Sequence, residues 1–474
     1  MATYKPTIGI EVHAELSTLS KMFCGCANRP HVDEPNVNIC PICLAHPGTL
    51  PAVNKEAIRK VLQFGEVIGG ELADFSEFDR KQYFYPDIPK AYQLSQYAFP
   101  FVKGGELAGV AITRVHLEED TARSQHEDNE SFVDFNRAGV PLMELVTEPV
   151  IHDAKVAADF AKELQLLLRT MGVSSANMEK GEMRVEANIS ISDTDVLGTK
   201  VEVKNLNSFK AVENAINYEI ERQKTALQSH KIVIQETRGW NMAKNKTFSQ
   251  RSKETAKDYR YFPDPDIPKY FLGEISEFTG SRLAENIPNL PSKIRADLSN
   301  LGLTSQQVET LVYNPNLLNF LEATMSSNPE KTKGKKFIKT AANYLISDVS
   351  GLMANNDNLE LNSTNAIMFA RLILMVEEKK ITSRVAKDLL EEIVFTGSDP
   401  EKMAEERGIM QDDSSERLIA VVEEVISANE PVVGDYKNGK EAALQFLVGQ
   451  GMKLSKGSAN PTTLAELFKE RLSE

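Results

Sequence analysis

No apolar run in this sequence approaches the ~20 residues that a membrane-spanning helix requires. The opening MATYKPTIGI lacks the basic-then-apolar layout of a secretory signal. Together these absences predict a cytoplasmic protein. There is no G-x-x-x-x-G-K-[ST] segment, which excludes a P-loop as the nucleotide site. Neither a G-x-S-x-G elbow nor the single Cys plus His layout of a thiol hydrolase is present, so hydrolysis through a covalent intermediate is not expected of this chain. Cysteine is scarce: the four that exist all lie between Cys24 and Cys43, which excludes a scattered disulfide framework. Positive charge is in deficit, with 54 Lys and Arg against 68 Asp and Glu and a net charge of −14. A surface coated for phosphate binding is therefore excluded. Two local lysine-rich stretches remain, KTKGKKFIK from Lys331 and YKNGKEAALQFLVGQGMKLSKG from Tyr436; on charge alone they read as solvated faces.

What is present is the composition of a folded protein, 41% hydrophobic and 26% charged. A length of 474 residues suggests about three domains. Up to about residue 285 strand and helix patterns mix. The stretch DAKVAADFAKELQLLLRTMG reads as a helix with Asp153 as N-cap, Val156, Phe160, Leu164, Leu167 and Leu168 as its apolar stripe, and Gly172 closing it. A second helix is predicted from Ser208. Alternation marks strands in TIGIEVHAEL, AITRVHLEE, MRVEANISIS and TKVEVK. Because helices do not follow every strand, the spacing predicts an α+β domain with an antiparallel sheet. The prolines of NIPNLPSK, residues 286–293, mark a boundary, after which only helical patterns follow. Gly397, Ser398 and Pro400 offer a second break. The expected domains are 1–290, 291–399 and 400–474, with no solenoid repeat. One echo stands out: YFYPDIPK from Tyr83 and YFPDPDIPK from Tyr261.

The chemistry starts in the first strand. Ile8, Ile10, Val12, Ala14 and Leu16 form one face, so Glu11, His13 and Glu15 share the other at intervals of about 6.6–7 Å. Neighbours so spaced can share a cation, although a solvent-exposed polar face would look the same. The pattern recurs in MRVEANISIS, which sets Arg184, Glu186 and Asn188 opposite an apolar face. More acids stand in HLEED, residues 116–120, and in PLMELVTEP, which supplies Glu144 and Glu148. Acids gathered with a basic residue suit divalent cations that hold nucleotide phosphates; Mg²⁺ takes carboxylates and phosphate oxygens, and a histidine ligand leaves Mn²⁺ open. Cys24 and Cys26 form a C-x-C and Cys40 and Cys43 a C-x-x-C, 13 residues apart. Two close pairs fit a closed, structural Zn²⁺ site, with ordinary reduced cysteines as the alternative; His31 and His46 are near but not needed. FDRKQYFYPDIPKAYQLSQY combines Arg80, Lys81 and Lys90 with Tyr83, Phe84, Tyr85 and Tyr92, a mixture able to hold a nucleotide or an RNA end, or simply to pack.

Taken together, IGIEVHAEL, SKMFCGC, CPICLAHPGTLPAVNK, FDRKQYFYPDIPKAYQLSQY, HLEED, FNRAGVPLMELVTEP, NMEKGEMRVEANIS, KNLNSF, QETR and DYRYFPDPDIP resemble the GatB family, the B subunits of aspartyl/glutamyl-tRNA amidotransferases. The likeness spans nearly the whole chain, and FLVGQGMKLSKGSANP is similar to the tail domain that the family shares with YqeY proteins. The resemblance implies a glutamine-synthetase-like catalytic domain carrying the zinc insertion at 24–43, a helical domain and a tRNA-binding tail. It implies conversion of Glu-tRNA(Gln) or Asp-tRNA(Asn) to the amide: ATP and Mg²⁺ phosphorylate the side-chain carboxylate, and ammonia from the amidase subunit GatA, held with GatC in a heterotrimer, displaces the phosphate. Carried over by motif position, Glu11, His13, Glu119, Glu144 and Glu186 hold or orient the metals, with Glu148 weaker and Glu118 able to replace Glu119. Lys81, Arg184 and Lys204 approach phosphates or the tRNA end. Where the family pattern reads RCDANIS this chain has RVEANIS, so Glu186 is one methylene longer than the usual Asp. Two other classes compete: a non-catalytic tRNA-binding component and a free-standing amide ligase for a small amino acid.

Overall fold

The computed structural model describes residues 3–473 apart from 33, 253–257, 357–358, 412–414 and 456. Lys456 of the tail motif lies outside the described residues. The chain divides into two compact units, residues 1–291 and 292–474.

In the first unit the four alternating segments become the strands β1 (Lys5–Glu15), β2 (Val110–Glu119), β4 (Met183–Ser192) and β5 (Val201–Leu206), and three further strands join them, β3 (Pro141–Thr147), β6 (Glu236–Asn241) and β7 (Lys246–Ser252). Among the described residues they form the sheet order β7-β6-β5-β4-β1-β3-β2, which continues into two short strands, Val102–Lys103 and Glu71–Leu72. Every pairing along this path is antiparallel except β5 with β6, which run parallel. The helix α3 (Phe209–Gln228) makes that one crossover. Helices α1 (Lys55–Val67) and α2 (Ala154–Thr170) complete the layer.

One hydrophobic core joins Ile8, Ile10, Val12 and Ala14 of β1 to Phe64 of α1, Phe160 and Leu164 of α2 and Val212 of α3. All four β1 side chains are fully buried. At about 1.5–3 kcal/mol for each large aliphatic side chain, a one-residue slip of β1 would lose that burial and drive Glu11 and His13 into apolar surroundings. The register of the polar face is thus set by the apolar one. Asp153 caps α2 by accepting from the backbone N–H of Lys155 and Val156, Ser208 caps α3 by accepting from Ala211, and Gly172 follows α2 at φ +62°. Val156 departs from the expected stripe: it is 45% exposed, and Ala157 and Ala161 take the core positions beside Phe160 and Leu164. Small side chains there let α2 lie close to the sheet.

The second echoed segment pairs with the strand that leads into the first. Asp79–Gln82 pairs with both Tyr92–Ser95 and Phe262–Pro263, and Arg80 donates to Asp264 at 2.6 Å and Asp266 at 3.0 Å.

The second unit is helical throughout its described elements. Helices Ser363–Glu377 and Ser383–Thr396 lie where only helical patterns follow the predicted boundary, and Gly397, one of the residues of the second predicted break, ends the latter in the left-handed region at φ +69°. Helix Pro400–Glu406 packs back on these two, held by Arg371 to Asp399 and Lys380 to Glu401. A separate core of Leu418, Val422, Leu447, Leu464 and Phe468 lies further on. No helix among the described residues is long and apolar enough to cross a membrane.

Candidate active site

Cross-strand pairing aligns the polar faces. His13 stands opposite Arg184 of β4 and Glu144 of β3, and Glu144 stands opposite His116 of β2. The next rung carries Glu186, Glu11 and Arg114. Residues directly opposite share a face, so groups far apart in sequence become neighbours. His13 Nε2 lies 3.5 Å from Glu144, 3.7 Å from Glu118 and 3.8 Å from Glu11. Glu144 in turn lies 3.3 Å from His116 Nε2 and 3.6 Å from Arg114. Lys204 of β5 reaches Glu186 at 2.8 Å.

Three of these neighbours were not singled out from sequence, Arg114, His116 and Glu202, and a bulge explains two of them. Val146 pairs with Arg114 but Thr147 pairs with Ile112, leaving Thr113 as an extra residue. The buried face of β2 therefore changes phase, from Val110 and Ile112 to Val115 and Leu117, and Arg114, His116 and Glu118 turn to the site. Glu202 is found by the alternation of TKVEVK: Val201 and Val203 are fully buried, so Glu202 shares the face of Lys204 and accepts from Thr237 Oγ1 at 2.7 Å.

Some expected members sit elsewhere. Glu119 follows the phase of Leu117 and leaves the cluster; its carboxylate accepts from Lys90 Nζ at 2.7 Å and from the Leu94 backbone N–H at 3.0 Å. Glu118 occupies the place expected for it. Glu148 lies beside the bulge and accepts from Thr113 Oγ1 at 2.8 Å. Arg184 is engaged by Asp120 at 2.7 Å, which Arg137 also approaches. Lys81 does join: with Glu11, Arg114, Glu144, Lys204 and Tyr261 it lines a cavity of about 310 Å³.

Burial pushes the Glu11 carboxyl up to about 7, aided by the charges of Glu144 and Glu186. Burial opposes a charge on His13, but the hydrogen bond and charge of Glu144 and the charge of Glu118 outweigh it and push the ring up to about 9. Glu144 is held well below the usual carboxylate range despite burial, because His116 and His13 flank it. Burial likewise disfavours the Lys81 ammonium, yet Glu118 and Glu144 hold it well above the ordinary lysine value. Positive charge is in demand on this face.

Glu11, His13 and Glu144 bring ligand atoms within 4.8 Å of one another, as do His116, Glu118 and Glu144, and Glu11, Glu186 and Glu202. Glu118 Oε2 and His116 Nδ1 are buried and have no hydrogen-bond partner among the described residues, an arrangement that buried polar atoms otherwise avoid. This oxygen-rich set with two imidazoles fits Mg²⁺ or Mn²⁺. Independently, the sulfurs of Cys24, Cys26, Cys40 and Cys43 all lie within 4.8 Å of one another. The Cys43 thiol is pulled down to about 4, chiefly by its hydrogen bond with Cys24, and the Cys40 backbone N–H donates to its sulfur at 3.1 Å. That set fits a tetrahedral thiolate-bound ion. His31 is not part of it, lying 3.7 Å from both Glu15 and Glu182.

The GatB/GatE catalytic domain model matches residues 6–276 and the GatB domain model residues 329–472. Relatives named as B subunits of aspartyl/glutamyl-tRNA(Asn/Gln) amidotransferase include one from Dehalococcoides mccartyi, 40% identical with 100% of both chains covered. One from Thermoanaerobacter sp. is 40% identical over 99% of this chain and 100% of its own, and one from Helicobacter hepaticus is 40% identical with both chains covered in full. The chain belongs to the GatB/GatE family.

Proposed function

We propose that this chain is the amide-forming subunit of an aminoacyl-tRNA amidotransferase, acting on Glu-tRNA(Gln), Asp-tRNA(Asn) or both. The observation that carries the reading is the convergence of Glu11, His13, Glu118, Glu144, Glu186 and Glu202 from five strands beside Lys81 and Lys204. A carboxylate accepts ammonia poorly because its oxygen is a bad leaving group. ATP supplies the remedy: a carboxylate oxygen of the charged amino acid attacks the γ-phosphorus and ADP departs, then ammonia attacks the acyl carbon and phosphate departs. Two anions must meet in the first step; Glu11, His13, Glu144 and Glu118, with Glu186 and Glu202 alongside, would hold Mg²⁺, which would supply the charge that lets them do so. Lys81, Lys204 and Arg114 line the same cavity and offset charge on the transferring phosphoryl group. His13 would bind such an ion as a neutral imidazole, its ring proton having passed to solvent, and a carboxylate of the cluster accepts the proton that the incoming ammonia loses.

The absence of a hydrolytic nucleophile fits ammonia supplied by a separate amidase subunit, GatA, in a complex with GatC. Cys24, Cys26, Cys40 and Cys43 hold a structural Zn²⁺ within the catalytic domain, residues 1–290. Domain 291–399 and the tail, 400–474, bind the body of the tRNA, which gives the late lysines a use despite the acidic total. The test is to purify the chain with its partner subunits and measure amide formation on Glu-tRNA(Gln) and Asp-tRNA(Asn), with and without ATP. ATP-dependent product with wild type, lost in Glu11→Gln with tRNA binding retained, supports the reading. Full turnover in that variant points to a non-catalytic tRNA-binding role, and amidation of the free amino acid to a free-standing ligase.

A further inference from the structure

Lys21 is the largest fully buried polar side chain of the catalytic unit, with none of its surface exposed. An ammonium so placed calls for an anion. Its Nζ donates to the Phe135 carbonyl at 3.1 Å and faces Cys43 Sγ at 3.8 Å. Among the described residues no carboxylate forms an ion pair with it, in contrast to Lys90 nearby, which Glu119 holds. One neutral carbonyl does not balance a buried charge. The group in reach that can is the cysteine cluster: four thiolates around a divalent ion carry a net charge of −2, and the backbone N–H that also reaches Cys43, from Cys40, is neutral.

The surrounding backbone fixes this placement. The Lys21 N–H donates to the Cys26 carbonyl, closing the C-x-C turn, and Met22 N donates to the Gly139 carbonyl at 2.7 Å. Met22 and Phe23 are buried in the main core. A side chain added at Gly139, which stands at φ +82°, would meet Cys43 and Lys21 at 3.7 Å and, at 3.9 Å, the carboxylate of Glu119, which is already tied to Lys90. Lys21 therefore lies where the cysteine knuckle touches the loop at 135–140, which leads directly into β3 and Glu144.

We propose that Lys21 is the counter-ion of the metal-thiolate centre and that its buried seat depends on the centre being filled, so that metal occupancy secures the loop that feeds β3. This rests on the reading that the four cysteines hold a divalent ion, and the experiment separates the two. Zinc content of the intact multi-subunit complex is measured first; a complex without about one equivalent overturns the cysteine reading itself. With zinc present, competition against a chromogenic chelator compares wild type with Lys21→Met, which keeps the volume and removes the charge. The proposal expects zinc affinity to fall at least tenfold and the drop in melting temperature on zinc removal to shrink; affinity within twofold of wild type overturns it. A second measurement uses wild type alone. Acylation by an amine-reactive reagent, read by mass spectrometry, should spare Lys21 in the zinc-loaded complex and modify it once zinc is removed. Protection unchanged by zinc removal overturns the proposal while leaving the zinc site standing.

Discussion

Glu144→Gln keeps the shape of a side chain that lies within 3.5 Å of His13 and 3.3 Å of His116 while removing its charge. The effect on the metal-free protein can be estimated from His13, whose ring is pushed from the ordinary 6.5 up to about 9. A group with a raised folded value contributes stability that is fully present below pH 6.5 and is lost as pH rises through about 9. At pH 7.5 the remaining interval corresponds to about 2 kcal/mol, at about 1.4 kcal/mol per pH unit. Glu144 supplies the hydrogen bond and the first of the charges responsible, so the variant should forfeit most of that amount, with a larger loss at pH 6 than at pH 9.5. Histidine-detected NMR of the metal-free chain should show His13 titrating at least one pH unit lower. Thermal melting at the two pH values reads the stability. Amide formation should fall about 100-fold or more because a cation ligand is gone. An unchanged His13 titration, or the same stability loss at both pH values, would refute the electrostatic reasoning.

Three further outcomes follow from the same geometry. Glu11→Gln removes a carboxyl whose folded value is raised to about 7 by burial and by Glu144 and Glu186. Such a group costs stability as pH rises through 7, so the variant should abolish turnover yet raise metal-free stability at pH 8 by about 1 kcal/mol, measured by denaturant melting. Glu118→Gln should lower turnover about 100-fold with little change in melting, whereas Glu119→Gln, which breaks the tie to Lys90 and Leu94, should cost about 2–3 kcal/mol of stability; reversed phenotypes would reinstate Glu119 as the ligand. Removing residues after 411, which takes away the core built on Leu418, Leu447 and Phe468, should weaken tRNA binding at least tenfold by titration with labelled tRNA and leave ATP affinity unchanged.

Much of the site could be read from sequence wherever strict alternation held. In β1 the period-two pattern fixes which side chains are buried, and burial fixes the direction of Glu11 and His13. The same logic covers Glu186, and would have covered Glu202 had the polar face of TKVEVK been weighed. It fails in β2 because the bulge at Thr113 inverts the phase in mid-strand, and no residue type in AITRVHLEE announces that inversion. The choice between Glu118 and Glu119 depended on it. Arg184 illustrates another limit: its strand face was legible, but its partner Asp120 lies in the turn after another strand, and an ion pair between a strand and a distant turn leaves no periodic trace. Helix ends were legible through Asp153, Ser208 and Gly397, because capping is local chemistry. Val156 was misassigned since periodicity alone does not say that alanines, rather than a valine, face a close neighbour.

The central claim is that acids on facing strands hold divalent cations beside a bound triphosphate. Its most direct test is a crystal of the complex grown with Mn²⁺ and a non-hydrolysable ATP analogue, with anomalous scattering locating the metal. The account predicts manganese peaks within about 2.5 Å of carboxylate oxygens of Glu11, Glu144 or Glu118, with the γ-phosphate on the same ions. Manganese and nucleotide bound on any other surface, with these side chains left in their ion pairs, would contradict it.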